Sequence, residues 1–353
     1  MRFHFPISGD MLNNKDGIAR DGRLFVNVQI AAHPQDNIYV NRIPAKFDGQ
    51  FFAAEVPLHG YRNILSVYNA ATSESINATV YWLKNADNKT RLSLDDNIYC
   101  FRDLTKNAQN YKSVFENPYF ALYKKANETY GTKVHVNVYY QCEDFNLSMM
   151  PDKYKAEFKA NSNWLQFSFH ALQDQPERPY KHTDFDAILR DYDLVTEQLI
   201  RFAGEECVSP VTTVHWGECT REGVRALRAR GLRVLMGYFQ YFDFEPYVSY
   251  YFDIGHAMRH NKRDFWKDEK EDMIFGRIYH VLNLDSVKDI VNIPHYGGFM
   301  ELMIHEQHFY PWHEYYMPDF EERVMVGAKF AADNGYKPAW VQDCVLEQSN
   351  MHV

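Results

Sequence analysis

From about residue 90 onward, short apolar runs alternate with stretches of helical periodicity, and this rhythm restricts the fold more than any other feature. Residues 90–94, 134–140, 164–169, 211–215, 234–239, 299–304 and 339–341 read as strands. Between them lie predicted helices at 117–130, 152–160, 183–202, 221–230 and 320–334. Thr183 caps the third, and Gly131, Gly204, Gly231 and Gly335 stop four of the five. Strands that alternate with helices pair in parallel, which implies a (β/α) barrel or an open α/β sheet. Residues 1–88 follow another rhythm. Alternating runs at 24–31, 38–40, 51–56, 64–68 and 78–83, separated by turn residues, point to a small all-β sandwich. The polar break Asn85-Ala86-Asp87-Asn88 marks the expected boundary between this module and an α/β domain over 89–353.

Hydrophobic residues make up 46% of the chain and aromatic residues 16%, enough for a large core and against disorder. The 25 Tyr and 25 Phe also suit sugar-binding clefts, where rings stack on pyranose faces. A net charge of −9 argues against nucleic acid as the partner, because phosphate binding needs basic surface. No apolar run approaches the ~18 residues of a membrane span. The five cysteines, Cys100, Cys142, Cys207, Cys219 and Cys344, have neither metal-ligand nor redox spacing and read as free thiols. With no apolar leader after Met1, the expected location is cytoplasmic, a previously removed leader aside. A homo-oligomer is compatible with all of this.

Ionisable residues fall at the ends of the predicted strands. Asp95 and Asp96 end the first, in Arg91-Leu92-Ser93-Leu94-Asp95-Asp96-Asn97. His170 ends the third, His215 the fourth and His305 a late one. In a parallel β/α barrel the carboxyl ends of all strands share one face, which holds the active site. Adjacent carboxylates repel unless a cation relieves them. Asp with several His is a set for zinc or a similar transition metal, with Ni, Co, Fe or Mn as alternatives. Asp174, four residues after His170, and His182 in the same loop compete for a place in that set. Trp216, Glu218 and Glu306, at the same mouth, are expected to touch substrate. Glu143-Asp144 forms a further acidic pair, and His135 and His280 read as packed, structural histidines.

The order of these motifs resembles the polysaccharide deacetylase superfamily, carbohydrate esterase family four and its relatives, over about residues 90 to 345. That resemblance implies a distorted β/α barrel with a divalent metal. It implies Asp95 as base and Asp96 as ligand, from the Asp-Asp motif Leu94-Asp95-Asp96-Asn97. His170 matches the first His of the family's His-x-x-x-His, and Asp174 stands where the second would be. The family's Arg-Pro-Pro-Tyr-Gly motif is replaced by Val214-His215-Trp216-Gly217-Glu218, so His215 is a candidate ligand. His305, in Met303-Ile304-His305, matches the His that serves as acid for the leaving group. The first module resembles the immunoglobulin-like accessory domains of carbohydrate-active enzymes.

Three functions follow as expectations. The first is a metal-dependent hydrolase that removes acetyl or related acyl groups from carbohydrate. In the second, two of Glu143, Glu218 and Glu306 act as a glycosidase pair. The third is a non-catalytic carbohydrate-binding protein. Residues 240–295, aromatic and charged, are expected to be extra β structure walling the cleft.

Overall fold

The polar strand ends belong to one parallel sheet. The computed structural model describes residues 1–292 and 298–347. In it, strands β1 (Lys89–Asn97), β2 (Val134–Tyr139), β3 (Leu165–Ala171) and, late in the chain, Phe299–His305 pair in the order β3-β2-β1-Phe299–His305. His280–Val281 extends that edge, and Lys337–Pro338 pairs with the start of β1. Both faces of these strands are buried, but the faces differ. Leu92, Leu94, Val136, Val138, Phe167 and Phe169 join the main apolar core under the helices. Arg91, Ser93 and Asp95, with His135, Asn137, Ser168 and Glu301, are buried as well and carry the polar alternate positions. The helix Phe185–Phe202 shows how the apolar side is closed. Asp184 caps it by accepting from the Ala187 N–H at 2.8 Å. Ile188, Tyr192, Val195, Leu199 and Phe202 then fall on one buried stripe. Each such side chain contributes about 1.5–3 kcal/mol, so a charge at Leu199 would detach the helix.

A second sheet of nine strands begins with β4 (Val211–Thr212), β5 (Val234–Gly237) and β6 (Met273–Arg277), all parallel. It continues through Phe265–Asp268 and Asp10–Leu12 into Glu74–Trp82, Arg62–Asn69, Ile38–Val40 and Ile43–Pro44. The strand Asp10–Leu12, which sequence reading missed, joins the N-terminal strands to the later part of the chain. A five-stranded sheet built on Arg23–Ala31 and Phe52–Leu58 packs on the N-terminal end of this large sheet through Val26, Val28, Ile30, Leu65, Val67 and Val80. The polar segment at 85–88 lies between Glu74–Trp82 and β1.

The architecture is mixed α/β, and the expected barrel is not closed among the described residues. β3 and β4 form no ladder: an isolated bridge, Phe167 with Val208 just ahead of β4, and the Thr212 hydroxyl, bonded to Ser168 and the Phe169 carbonyl, link them. Pro210 has no N–H to donate there, and β4 is two residues long. The chain leaves the ladder after Thr212, so His215 lies in a tight helical turn at His215–Gly217, not at a strand end. The predicted strand at 339–341 is instead the entry to a helix, Val341–Val345, which the Ala339 N–H ties to the Thr90 carbonyl at 3.0 Å. Residues 240–292 form a hairpin (Gln240–Phe242 with Glu245–Tyr247), two short helices (Ile254–His260 and Val287–Ile290), two strands of the large sheet and the edge strand His280–Val281 of the first; residues 293–295 of that predicted segment lie outside the described residues. Among the described residues no helix is long and apolar enough to cross a membrane.

Candidate metal centre

Adjacent strand residues normally face opposite sides of a sheet, and two β-bulges change that here. Leu94 pairs with Val136 and Asn97 with Val138, so β1 advances three residues while β2 advances two. Asp96 takes up the difference with a left-handed backbone, φ +64°, a conformation Asp tolerates better than most residues. On β3 the partners skip from Phe169 to Ala171, which leaves His170 as the extra residue. Bulges of this kind re-aim side chains.

Asp96, His170 and His215 then converge, all buried, with ligating atoms within 4.8 Å of one another. Asp96 Oδ1 lies 3.0 Å from His170 Nε2 and 3.3 Å from His215 Nδ1. Those two nitrogens are 3.3 Å apart. The outward nitrogen of each ring faces a carbonyl. His170 Nδ1 is 2.5 Å from the Thr213 oxygen, and His215 Nε2 is 3.2 Å from the Asp174 oxygen. A carbonyl only accepts, so both outward nitrogens carry protons and both inward nitrogens present lone pairs. Two lone pairs and a carboxylate aimed at one point need a cation or a proton between them. The donor set, one carboxylate and two imidazoles whose outer nitrogens are already held, fits a divalent transition metal.

Electrostatics agree. Burial by itself would raise the Asp96 carboxyl, but the neighbouring His170 and His215 rings hold it well below the usual range, as a cation at that point would. Burial opposes charging His170, and Asp95 with Asp96 overcomes it, raising this histidine. Burial pushes the Asp95 carboxyl up. Tyr139 donates to Asp96 Oδ1 at 2.5 Å, and Gln307 donates to Asp96 Oδ2 at 2.9 Å.

Asp95 is fully enclosed, takes the Asn137 amide at 2.6 Å and pairs with His305 across the ladder. The His305 tautomer follows from its neighbours. His308 Nδ1 faces the Tyr315 carbonyl at 2.6 Å, so His308 Nε2 accepts from the Asn283 amide nitrogen at 3.2 Å. Asn283 Oδ1 therefore accepts from His305 Nδ1 at 2.9 Å, and His305 Nε2 is left with its lone pair.

Other expected site residues are used differently. The Asp174 carboxylate is 61% exposed and 4.0 Å from His215; its backbone carbonyl, not its side chain, reaches the cluster. His182 is exposed. Glu306 accepts the N–H groups of Ile98, Tyr99 and Cys100 at 2.6, 2.9 and 2.7 Å and the Tyr310 hydroxyl at 2.7 Å. It thus caps the helix Tyr99–Lys106, whose own N-cap residue Ile98 has no side chain to offer. Trp216 and Glu218 hold Arg178: the guanidinium lies over the Trp216 and Tyr247 rings at 5.2 and 5.3 Å and 3.3 Å from Glu218. Glu143 pairs with Arg102 at 2.8 Å, and Asp144 pairs with Arg102 at 3.3 Å and Lys106 at 3.2 Å.

A cleft of about 330 Å³ opens over Asp96. Tyr99, Tyr139, His313 and Tyr315 give it rings, and Gln141, Gln173, Gln175 and Gln307 give it amides. No residue of 240–292 lines it, so the expected wall from that segment is supplied by residues 313–315 instead. Sequence reading missed Tyr139, Asn137 and Gln307. Only the alternation of Asn137 and Tyr139 on the face of β2 that also carries His135 hinted at the first two.

No family model matches the chain, and no curated protein does. Among solved structures, one similar in outline is a Bordetella bronchiseptica protein described as a candidate polysaccharide deacetylase involved in O-antigen biosynthesis. The match covers 70% of this chain and 83% of that one, at 11% identity and a TM-score of 0.32. That likeness is too loose to carry residues across.

Proposed function

We propose that the chain is a metal-dependent hydrolase that removes acyl groups, acetyl first among them, from carbohydrate. The observation that carries this reading is the inward aim of His170 Nε2, His215 Nδ1 and Asp96 Oδ1, with each ring's other nitrogen held by a carbonyl. Asp96, His170 and His215 hold the ion, zinc first among Zn, Ni, Co, Fe and Mn. Such an ion supplies a polarised carbonyl and a water of lowered pKa. Asp95 takes the proton from the attacking water. His305, its ladder partner, takes a proton from solvent onto the Nε2 lone pair that its bond to Asn283 leaves free and gives it to the leaving group, while Asp95 returns the water's proton to solvent. Tyr139 and Gln307 orient the Asp96 carboxylate. A carbohydrate suits a cleft that offers rings, amides and the carboxylates of Asp96, Glu143, Asp174 and Glu314, with no Lys or Arg among its described lining residues. Residues 1–88 are proposed as an accessory module to 89–353. A glycosidase pair is disfavoured, because Glu143, Glu218 and Glu306 are each committed to a cation or a helix end.

Protein stripped with a chelator and reloaded with zinc or cobalt, assayed on acetylated sugars, tests the reading. Acetate release should vanish on stripping, return with metal and be absent in Asp96→Ala. Equal release from stripped and loaded protein would sink the metal mechanism. Chelator-insensitive release of reducing sugar would point to a glycosidase, and binding without turnover to a binding protein.

A further inference from the structure

Beneath the site lies a set of charged groups that the proposed chemistry does not use. Arg91, His135 and Glu301 are all fully enclosed in the sheet. Arg91 forks onto Glu301, Nε to Oε2 at 3.0 Å and Nη2 to Oε1 at 2.6 Å. Its other nitrogen, Nη1, lies 3.0 Å from His135 Nδ1. A guanidinium only donates, so His135 Nδ1 accepts and the ring proton sits on Nε2. Burial, reinforced by the Arg91 charge, keeps this ring neutral. Nε2 then donates toward Ser168 Oγ at 2.8 Å and Asn137 Oδ1 at 3.1 Å. Asn137 Oδ1 also receives the Thr213 backbone N–H at 3.2 Å, and a backbone N–H only donates. The Asn137 amide can therefore face one way only, with Nδ2 toward Asp95 Oδ1 at 2.6 Å. Every donor in the series points from the guanidinium to the carboxylate.

We infer that Arg91, His135 and Asn137 form a one-way buried hydrogen-bond relay, anchored by Glu301, that positions Asp95, with Asn137 as the positioning residue. The inference rests on reading Asp95 as the proton acceptor. The physical need is plain. Asp95 and Asp96 are consecutive carboxylates in a low-dielectric interior and repel each other. The groups around Asp96 hold one of them, and the Asn137 donor holds the other. A relay that cannot reverse leaves Asp95 as an acceptor in a single orientation, which is what a base needs when misplacement by about 1 Å can cost a hundredfold. Neither Asn137 nor His135 nor Arg91 lines the cleft.

Two arms test this. Nitrogen and carbon spectra of labelled histidine, with His135 assigned by its loss in His135→Gln, read the tautomer without turnover. The expected state is neutral with the proton on Nε2. A proton on Nδ1, or on both nitrogens at neutral pH, overturns the relay whatever the chain hydrolyses. In the second arm, Asn137→Asp keeps the size and replaces the donor by another carboxylate. The kcat should fall about a hundredfold, with KM within about threefold and zinc content unchanged, and Asn137→Ser, which keeps a hydroxyl donor, should recover part of it. An unchanged kcat in Asn137→Asp overturns the relay and leaves the hydrolase reading standing. A metal-loaded wild type that turns over nothing overturns the hydrolase reading, and the tautomer then decides the relay alone. If Asn137→Asp does not fold, the tautomer and Asn137→Ser decide it.

Discussion

His170 Nε2 and Asp96 Oδ1 stand 3.0 Å apart although each occupies the extra position of its own β-bulge, on strands separated by β2. Without the bulges, one of the two would face the helices. The juxtaposition is therefore a property of local irregularities in register.

Zinc should raise the unfolding midpoint of the chelator-stripped protein, because an ion that binds only the folded state stabilises it by about 2.7 kcal/mol at a hundred times Kd. Asp96→Ala and His170→Ala should lose the shift, while Asp174→Ala should keep it, since only the Asp174 carbonyl reaches the cluster. Scanning fluorimetry with and without zinc checks this. A shift that survives in Asp96→Ala contradicts the assignment.

Glu306→Gln should destabilise the protein by about 2 kcal/mol, since a charged acceptor of three backbone N–H groups becomes a neutral amide with one oxygen. Urea unfolding measures it. A fully stable variant with altered KM would instead place Glu306 at the substrate.

Arg178→Ala should raise KM more than it lowers kcat. The side chain pins the loop that carries Gln173, Asp174 and Gln175 into the cleft by lying on Trp216 and Tyr247 and pairing with Glu218. It leaves Glu218 buried without its cation, at a cost of about 1–3 kcal/mol. Steady-state kinetics beside Arg178→Lys, which keeps the charge but not the planar stack, separate the two contributions.

His260 gives the protein an acid sensitivity that one substitution should reduce. Burial, with Arg277 next in effect, lowers this histidine from 6.5 to about 3, and its ring sits edge-on against Phe239 with centroids 4.1 Å apart. Below about pH 6.5 the unfolded chain takes up a proton here that the folded chain refuses until about pH 3. Stability therefore falls as pH drops through that window and is unaffected above it, at about 1.4 kcal/mol per pH unit. Between about pH 6.5 and 5.5, where the unfolded histidine is only partly protonated at the start, wild type should lose roughly 1 kcal/mol more than His260→Phe. Parallel slopes for the two proteins would rule this out.

Much of the plan is legible in the residues themselves. The period-2 runs of β1, β2 and β3, the Gly131 helix end, and the gathering of Asp and His at strand termini depend on local propensity and side-chain chemistry, which are written along the chain; the cap of the helix Phe185–Phe202 was expected at Thr183 and is Asp184, the residue whose carboxylate reaches the Ala187 N–H. Asp95-Asp96, His170 and His215 stood out because ionisable groups after apolar runs are rare. What only tertiary structure decided is which of these groups meet, and through which atom. A one-residue bulge turned Asp96 to the face that His170 already shares with Ser168, Pro210 and a two-residue β4 kept the sheets from closing into a barrel, and the fold brought the carbonyls of Thr213 and Asp174 to the outer nitrogens of the two histidines. Glu306 became a helix cap and Trp216 a platform for Arg178 for the same reason. Register, tautomer and partner are set by contacts between residues tens to hundreds of positions apart, and no pattern confined to neighbouring residues encodes them.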